Sequence, residues 1–300
     1  MIASKRTRNI LRNTGIYTCL AIFVVLMLFP FYFMFVTSIK PDSELYSGNC
    51  GNIFGGIDFE PETACQDNPL WVRQPTIAHY RYLFTSTDFL IWLKNSLVVS
   101  VVSTGISISI GTLAAYSLAR IRFKGAQALG TMIFITYLVP TTLLFLPMAY
   151  VIRSLGLYDK PITLMITYPT FLIPFCTWLL MGYFRGIPRE LEECAMVDGA
   201  TRLQALRMII LPIMLPGIVS AGLFAFTLSW NEFVYALTLV SSNIFKTLPV
   251  GVVSQLVLAD VYFWGPLMAA ALLGSIPIAI LYSFFLEYYV KGMTAGAVKG

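Results

Sequence analysis

The feature that most restricts this chain is the recurrence of apolar runs longer than 20 residues. A helix needs ~20 consecutive apolar residues to cross a bilayer. Runs that meet this length lie at about 16–37, 92–119, 129–152, 162–184, 212–239 and 265–289. They predict an all-α integral membrane protein with six transmembrane helices, and one transmembrane domain over 1–300. The amino-acid balance excludes a soluble domain. The chain is 57% hydrophobic and 12% charged, whereas soluble domains carry about 25% charged residues.

The basic residues set the topology. Lys5, Arg6, Arg8 and Arg12 precede the first run, and Arg120, Arg122 and Lys124 follow the second. Arg185, Arg189, Arg202 and Arg207 lie about a hairpin between the fourth and fifth runs, and Lys291 and Lys299 follow the sixth. Cytoplasmic loops carry the excess of Lys and Arg, so both termini and the hairpin are expected in the cytoplasm. The net charge of +5 is accounted for by these flanks and does not indicate a nucleic-acid partner. The first run is long and lacks a small-residue cleavage site, so it reads as a retained span rather than a signal peptide.

Several features inside this frame carry two readings. Ser96, Ser100, Ser103 and Ser107 line one helical face, continued by Gly111 and Ala115. Such a stripe serves close helix packing or lines a polar pathway. Pro140 and Pro147 predict a bend in the third span. Glu232 falls near the outer end of the fifth span, as a functional carboxylate or as an interfacial residue paired with a neighbour. Residues 38–91 form an external loop, rich in Gly, Asn, Asp and Pro. Its segment TIAHYRYLF is a short helix or strand at the interface. Cys19 and Cys176 read as packing residues within spans. Cys50 and Cys65 share the external loop. A disulfide between them is open if the loop faces an oxidising compartment, and spacing alone does not decide it.

Catalytic machinery is missing from the sequence. No phosphate loop of the G-x-x-x-x-G-K-[ST] type occurs. His79 is the one histidine and stands on the external loop without a metal-binding cluster around it. No Ser-His-Asp set can be assembled, so no catalytic, cofactor-binding or metal-binding residue is assigned. An ion-coupled secondary carrier would place ionisable groups within its spans. Here Glu232, Asp260 and Glu287 all lie near span ends, and no inverted repeat is visible.

The hairpin at 188–212, PRELEECAMVDGATRLQALRMIILP, is the longest polar, helix-prone segment on the basic side. Pro188 suits a first helical position, and Glu190, Glu192 and Glu193 favour the positive end of a helix dipole. Gly199 after Asp198 suits the left-handed residue that ends a helix. Thr201 and Gln204 have the spacing of a capping box that starts a second helix. Helix connections usually take about 2–8 residues. The greater length points to a docking surface, on a transporter subunit or on a scaffold that recruits a cytoplasmic partner.

The hairpin also resembles a known family. Glu193-Cys194-Ala195, Gly199 after three residues, Ile209 and Leu211-Pro212 follow the E-A-A, G, I-x-L-P loop of binding-protein-dependent ABC importer permeases. Cys194 replaces the usual first alanine. Trp92-Leu93-Lys94-Asn95-Ser96, Ala114-Ala115-Tyr116 with Arg120, Leu155-Gly156-Leu157, Ser229-Trp230-Asn231-Glu232-Phe233 and the tail 294–300 are similar to the carbohydrate branch. Within that branch they resemble the smaller permease subunits of maltose-type importers.

The resemblance implies a type I importer fold in a bacterial or archaeal cytoplasmic membrane, embedded in lipid. It implies a second homologous permease, two ATP-binding subunits and an extracytoplasmic solute-binding protein. ATP would be bound by those partners, and the chain itself would not be an enzyme. The substrate would be a di- or oligosaccharide, with a polyol or a glycerol phosphate as alternatives. Glu190, Glu193, Cys194, Ala195, Asp198 and Gly199 would form the loop gripped by the ATPase. The tail 291–300 would reach the ATPase interface, and the outer segment 241–264 would probe the binding protein.

Overall fold

A computed structural model describes residues 5–45, 70–121 and 123–295. Cys50, Cys65 and the tail beyond 295 lie outside the described residues. Five helical stretches are long and apolar enough to cross a membrane: Arg12–Ser38, Phe89–Arg120, Pro161–Gly186, Arg202–Trp230 and Trp264–Glu287. A bent pair, Ala126–Leu138 with Thr141–Ser154, is together long and apolar enough for a sixth, broken span. The chain divides into two compact units, Met1–Thr87 with Ser254–Ser275, and Asp88–Val253 with Ile276–Gly300.

The first unit contains α1 (Lys5–Ser38) and α2 (Ala78–Ser86). The side chains of α1 from Ile16 to Phe31 are exposed, as a helix that meets lipid requires. Cys19 shares that exposure, so it faces outward and does not fill a core. TIAHYRYLF resolves as helix, and His79 stands on it, buried, rather than on a loop. The His79 Nε2–H donates to the Lys40 carbonyl at 2.6 Å. A Cβ at Gly265 would stand 2.3 Å from that same nitrogen, so only glycine allows the approach. The Glu44 carboxylate accepts the N–H groups of Arg73 and Gln74 at 3.3 and 3.0 Å. The unit also holds a small antiparallel pair, β1 (Val257–Leu258) and β2 (Val261–Tyr262), with Val257 opposite Tyr262. Among the described residues this is the departure from an all-helical fold.

The second unit holds α3 (Phe89–Arg120), α4 (Ala126–Leu138), α5 (Thr141–Ser154), α6 (Pro161–Gly186), α7 (Glu190–Val197), α8 (Arg202–Trp230) and α9 (Val234–Leu239). Helix α6 rises about 39 Å, more than the ~30 Å of a hydrocarbon core. One core joins α3, α6, α8 and α9 through Val99, Leu164, Tyr168, Cys176, Ala225 and Tyr235. The serine stripe of α3 is buried. On that stripe, a Cβ at Gly111 would stand 2.8 Å from the Cys176 Cβ and 3.3 Å from the Thr177 nitrogen. Ser96 accepts the Leu248 N–H at 2.7 Å. The stripe is therefore a packing face. The apolar cavity of about 320 Å³ in this unit is met from α3 by Val101, Thr104, Gly105 and Ile108 instead.

Two spans differ from their sequence outline. The third is not one bent helix but two, α4 and α5, at 94° to each other. Pro140 is the cause: it cannot donate an N–H, and it forces Val139 into an extended conformation (φ −68°, ψ 124°). Pro147 lies inside α5 without a break. The fifth span ends at Trp230 rather than near 239. The chain turns at Asn231, and Glu232 caps the short helix α9. Its Oε1 accepts the Tyr235 N–H at 2.8 Å. Its Oε2 accepts the Ala236 N–H at 3.0 Å and the Tyr168 hydroxyl at 2.9 Å. Glu232 is thus a paired structural carboxylate.

The turn after α5 is clamped to the segment after α9. Asp159, at φ 58°, donates its N–H to the Leu239 carbonyl at 3.0 Å. Its carboxylate accepts the N–H groups of Ser241 and Ser242 at 2.9 and 2.8 Å, and the Ser242 hydroxyl. That hydroxyl, with the two N–H groups, holds the Asp159 carboxyl below the usual carboxylate range against the opposing effect of desolvation.

Replacing Gly111 by Val should force α3 from α6 and destabilise the protein by about 1–3 kcal/mol, lowering the thermal midpoint in detergent. Gly105→Ala, which meets open space inside the same helix, should not lower it and should raise it slightly. The Asp159 clamp should be fully formed above the unfolded carboxylate pKa of about 3.9 and lost as pH falls through its lower folded value. Amide exchange at Ser241 and Ser242 should accelerate, relative to the intrinsic rate, over that acid range, and Asp159→Asn should bring the faster exchange to neutral pH.

Candidate functional site

The hairpin between α6 and α8 begins where α6 stops at Gly186. Helix α7 starts at Glu190, two residues after Pro188, and its first turn carries Glu190, Glu192 and Glu193. The free N–H groups of that turn and the helix dipole favour these carboxylates. The helix ends in a six-to-one turn. The Gly199 N–H donates to the Met196 carbonyl at 3.1 Å, and the Ala200 N–H to the Ala195 carbonyl at 3.0 Å. Gly199 stands at φ +93°, and a Cβ there would meet nothing within 4 Å. The glycine is therefore required by the backbone conformation and not by crowding.

The return arm opens with a capping box. The Gln204 N–H donates to Thr201 Oγ1 at 3.3 Å, and the Thr201 N–H donates to Gln204 Oε1 at 2.7 Å. The arm is not a separate helix that stops at Pro212. It is the first part of α8 and runs through a π-helical turn, Leu206–Ile210, into the span. Pro212 supplies no N–H to the helical ladder, and the wider turn lies immediately before it.

Burial divides the hairpin into two faces. Glu192, Ala195, Ala205, Leu206 and Ile210 are buried. Leu206 and Ile210 enter a core with Tyr116, Leu180, Phe184 and Met214. Outward stand Glu190, Glu193, Cys194, Asp198 and Gly199, and with them four apolar side chains. Leu191, Val197, Leu203 and Met208 are exposed by 41, 87, 69 and 73%. Apolar side chains of that exposure, amid Arg189, Arg202, Arg207 and the acids, have the composition of a protein-binding patch. Of the expected loop residues only Ala195 points inward.

Two contacts missed in the sequence pin this hairpin to α3. The Tyr116 hydroxyl donates to Glu192 Oε1 at 2.5 Å. Arg120 donates from its guanidinium to the Ile187 carbonyl at 2.8 Å. The Tyr116 ring also meets Phe184 edge to face, with centroids 5.8 Å apart. The signal available was the spacing of Tyr116 and Arg120, one helical turn apart at the end of a span. Their partners lie more than 60 residues away. Among the described residues there is no group of three or more His, Cys, Asp and Glu that could hold a metal.

Apolar spans joined by an exposed helical hairpin, which Tyr116 and Arg120 pin to α3, define an integral membrane protein. Residues 107–295 match the family described as "Binding-protein-dependent transport system inner membrane component", and the chain belongs to that family. It is 36% identical to the inner membrane ABC transporter permease protein YcjP of Escherichia coli, over the whole of both chains. It is 32% identical to the trehalose/maltose transport system permease protein MalG of Thermococcus litoralis, over 92% of this chain and 93% of that one. A subunit of a bacterial ABC transporter for the import of alginate has the same fold. Its TM-score is 0.73 at 21% identity, covering 96% of this chain and 99% of that chain. The fold is that of the type I ABC importer permeases, and the chain is an inner-membrane ABC permease subunit.

Gly199→Ala should cost about 1–2 kcal/mol at the turn, the steric penalty of a left-handed residue. Amide exchange at Gly199 and Ala200 reads this directly: the alanine variant should exchange faster, and Gly199→Asn should stay close to the parent.

Proposed function

We propose that this chain is one of two permeases in an ATP-driven importer for a di- or oligosaccharide. A second homologous permease completes the pathway, two ATP-binding subunits supply the energy, and an extracytoplasmic binding protein delivers the solute. The chain binds no ATP and catalyses no reaction. The observation that carries this reading is the two-faced hairpin, with its acids and apolar knobs outward and its other face buried in the subunit. The sugar is supported by the trehalose/maltose relative and by the carbohydrate-type segments such as Ser229 to Phe233.

In this reading the ATPase grips Glu190, Glu193, Cys194, Asp198 and Gly199 together with Val197. Both termini and the hairpin face the cytoplasm, following the basic residues around them. Closure of the ATPase pair on ATP displaces α7, and the stiff turn at Gly199 passes that displacement to α6 and α8. The pathway between the permeases then opens outward. The outer segment 241–264, with Leu258 and Val261 exposed on its β1–β2 hairpin, is offered to the binding protein.

Reversal of charge in Glu193→Lys should lower ATP-dependent sugar uptake about tenfold or more, the scale of losing an interfacial charge pair. Gly199→Pro, which removes the N–H bonded to Met196, should do the same. Both variants should remain in the membrane. Uptake at the parental rate in both would remove the hairpin from the mechanism. The solute is identified from the binding protein that co-purifies with the complex, by mass spectrometry of its bound ligand. A polyol or glycerol phosphate there would replace the sugar.

A further inference from the structure

The hairpin is joined covalently to α6 and α8 only, yet its one buried carboxylate is engaged by a third span. Glu192 is 5% exposed and Tyr116 6%, and their 2.5 Å hydrogen bond lies at the end of α3 nearest the hairpin. Four residues on, one helical turn along the same face, Arg120 is 7% exposed and bonds the Ile187 carbonyl. These two contacts bracket the entry into α7. One holds its first turn, and the other holds the backbone just before it.

We infer that Tyr116 and Arg120 are positioning residues that make α3 move with the hairpin. The inference rests on the proposed ATPase-driven function. The chemistry favours a rigid link over an incidental contact. A buried carboxylate without a donor is costly, and the hydroxyl of Tyr116 is the side-chain donor the structure gives to Glu192. Any displacement of α7 that left α3 behind would strip Glu192 of that donor and Ile187 of its guanidinium. Beyond the tether α3 is packed hard on α6, with Gly111 against Cys176. The hairpin, α3, α6 and the start of α8 are thereby one body. The break at Asn231, by contrast, leaves α9 outside the direct line of the push. Glu192 is distinct from Glu193 in role: the outward carboxylate meets the partner, and the inward one holds the span.

The test is a coupling ratio, sugar transported per ATP hydrolysed, in the complete transporter reconstituted in liposomes with its ATPase subunits and binding protein. Tyr116→Phe keeps the ring against Phe184 and deletes only the hydroxyl. The ratio should fall about tenfold, within the range that single side chains produce along a coupling route, with ATP hydrolysis and subunit assembly retained. Glu192→Gln preserves an acceptor and should keep most of the ratio, whereas Glu192→Leu should match Tyr116→Phe. The double variant Tyr116→Phe with Glu192→Leu should be no worse than either alone, the mark of one shared interaction. A parental ratio in Tyr116→Phe, or additive losses in the double variant, would overturn the tether. Failure of the proposed function reads differently: the parent complex itself would show no ATP-dependent sugar uptake. If Tyr116→Phe fails to assemble, the Glu192→Gln and Glu192→Leu pair decides. Equal ratios in those two would overturn the tether, and loss confined to leucine would uphold it.

Discussion

Backbone groups that meet hydrocarbon have no water to pair with, and the second unit is organised around every place where its helices must nevertheless stop. A regular helix satisfies its own N–H and C=O groups, so length alone produces α3, α6 and α8. At each interruption a polar side chain or a particular backbone shape takes over. Glu232 receives the N–H groups at the start of α9. Asp159 receives those of Ser241 and Ser242. Thr201 and Gln204 satisfy each other at the head of α8. Glu232, an ionisable group near the end of an apolar run, is such a cap.

That division of labour separates the two ends of the unit. On the side of Asp159, carboxylates hold irregular chain together and are occupied by backbone. On the hairpin side, Glu192 is also occupied, but by a side chain of another span, while Glu190 and Glu193 are left outward. A single turn of α7 thus presents carboxylates of opposite use. The inward one ties the element to α3, and the outward ones face away from it.

The sequence was legible where the physics is local. Apolar length gave the spans, the Thr201–Gln204 spacing gave the capping box, and Gly199 gave the end of α7. It was less legible where one residue competes with a run. Pro140 and Pro147 look alike in sequence, yet Pro140 breaks the span by forcing Val139 extended, whereas Pro147 is absorbed within α5. Glu232 lay in an apolar run that the pattern carried on to 239, because a cap is visible only once the chain has turned. The serine stripe needed Gly111 and Cys176 brought face to face to choose packing over a pathway. Tyr116 with Glu192 was out of reach entirely, since no local rule pairs residues 76 positions apart.

The π-helical turn at Leu206–Ile210 has a consequence for phase. Leu206, Ile210 and Met214 are all buried, at steps of four residues. In an uninterrupted α-helix each such step drifts by about 40° around the axis, which would swing this row by about 80° across the core-facing stripe. A turn closed by i→i+5 bonds holds more residues and takes back that drift. The buried row is thereby kept closer to one line along the helix, while Leu203 and Met208 are exposed on the same rod. One local change of helical pitch lets a single continuous helix run from exposed hairpin to core wall to membrane span without a joint between them.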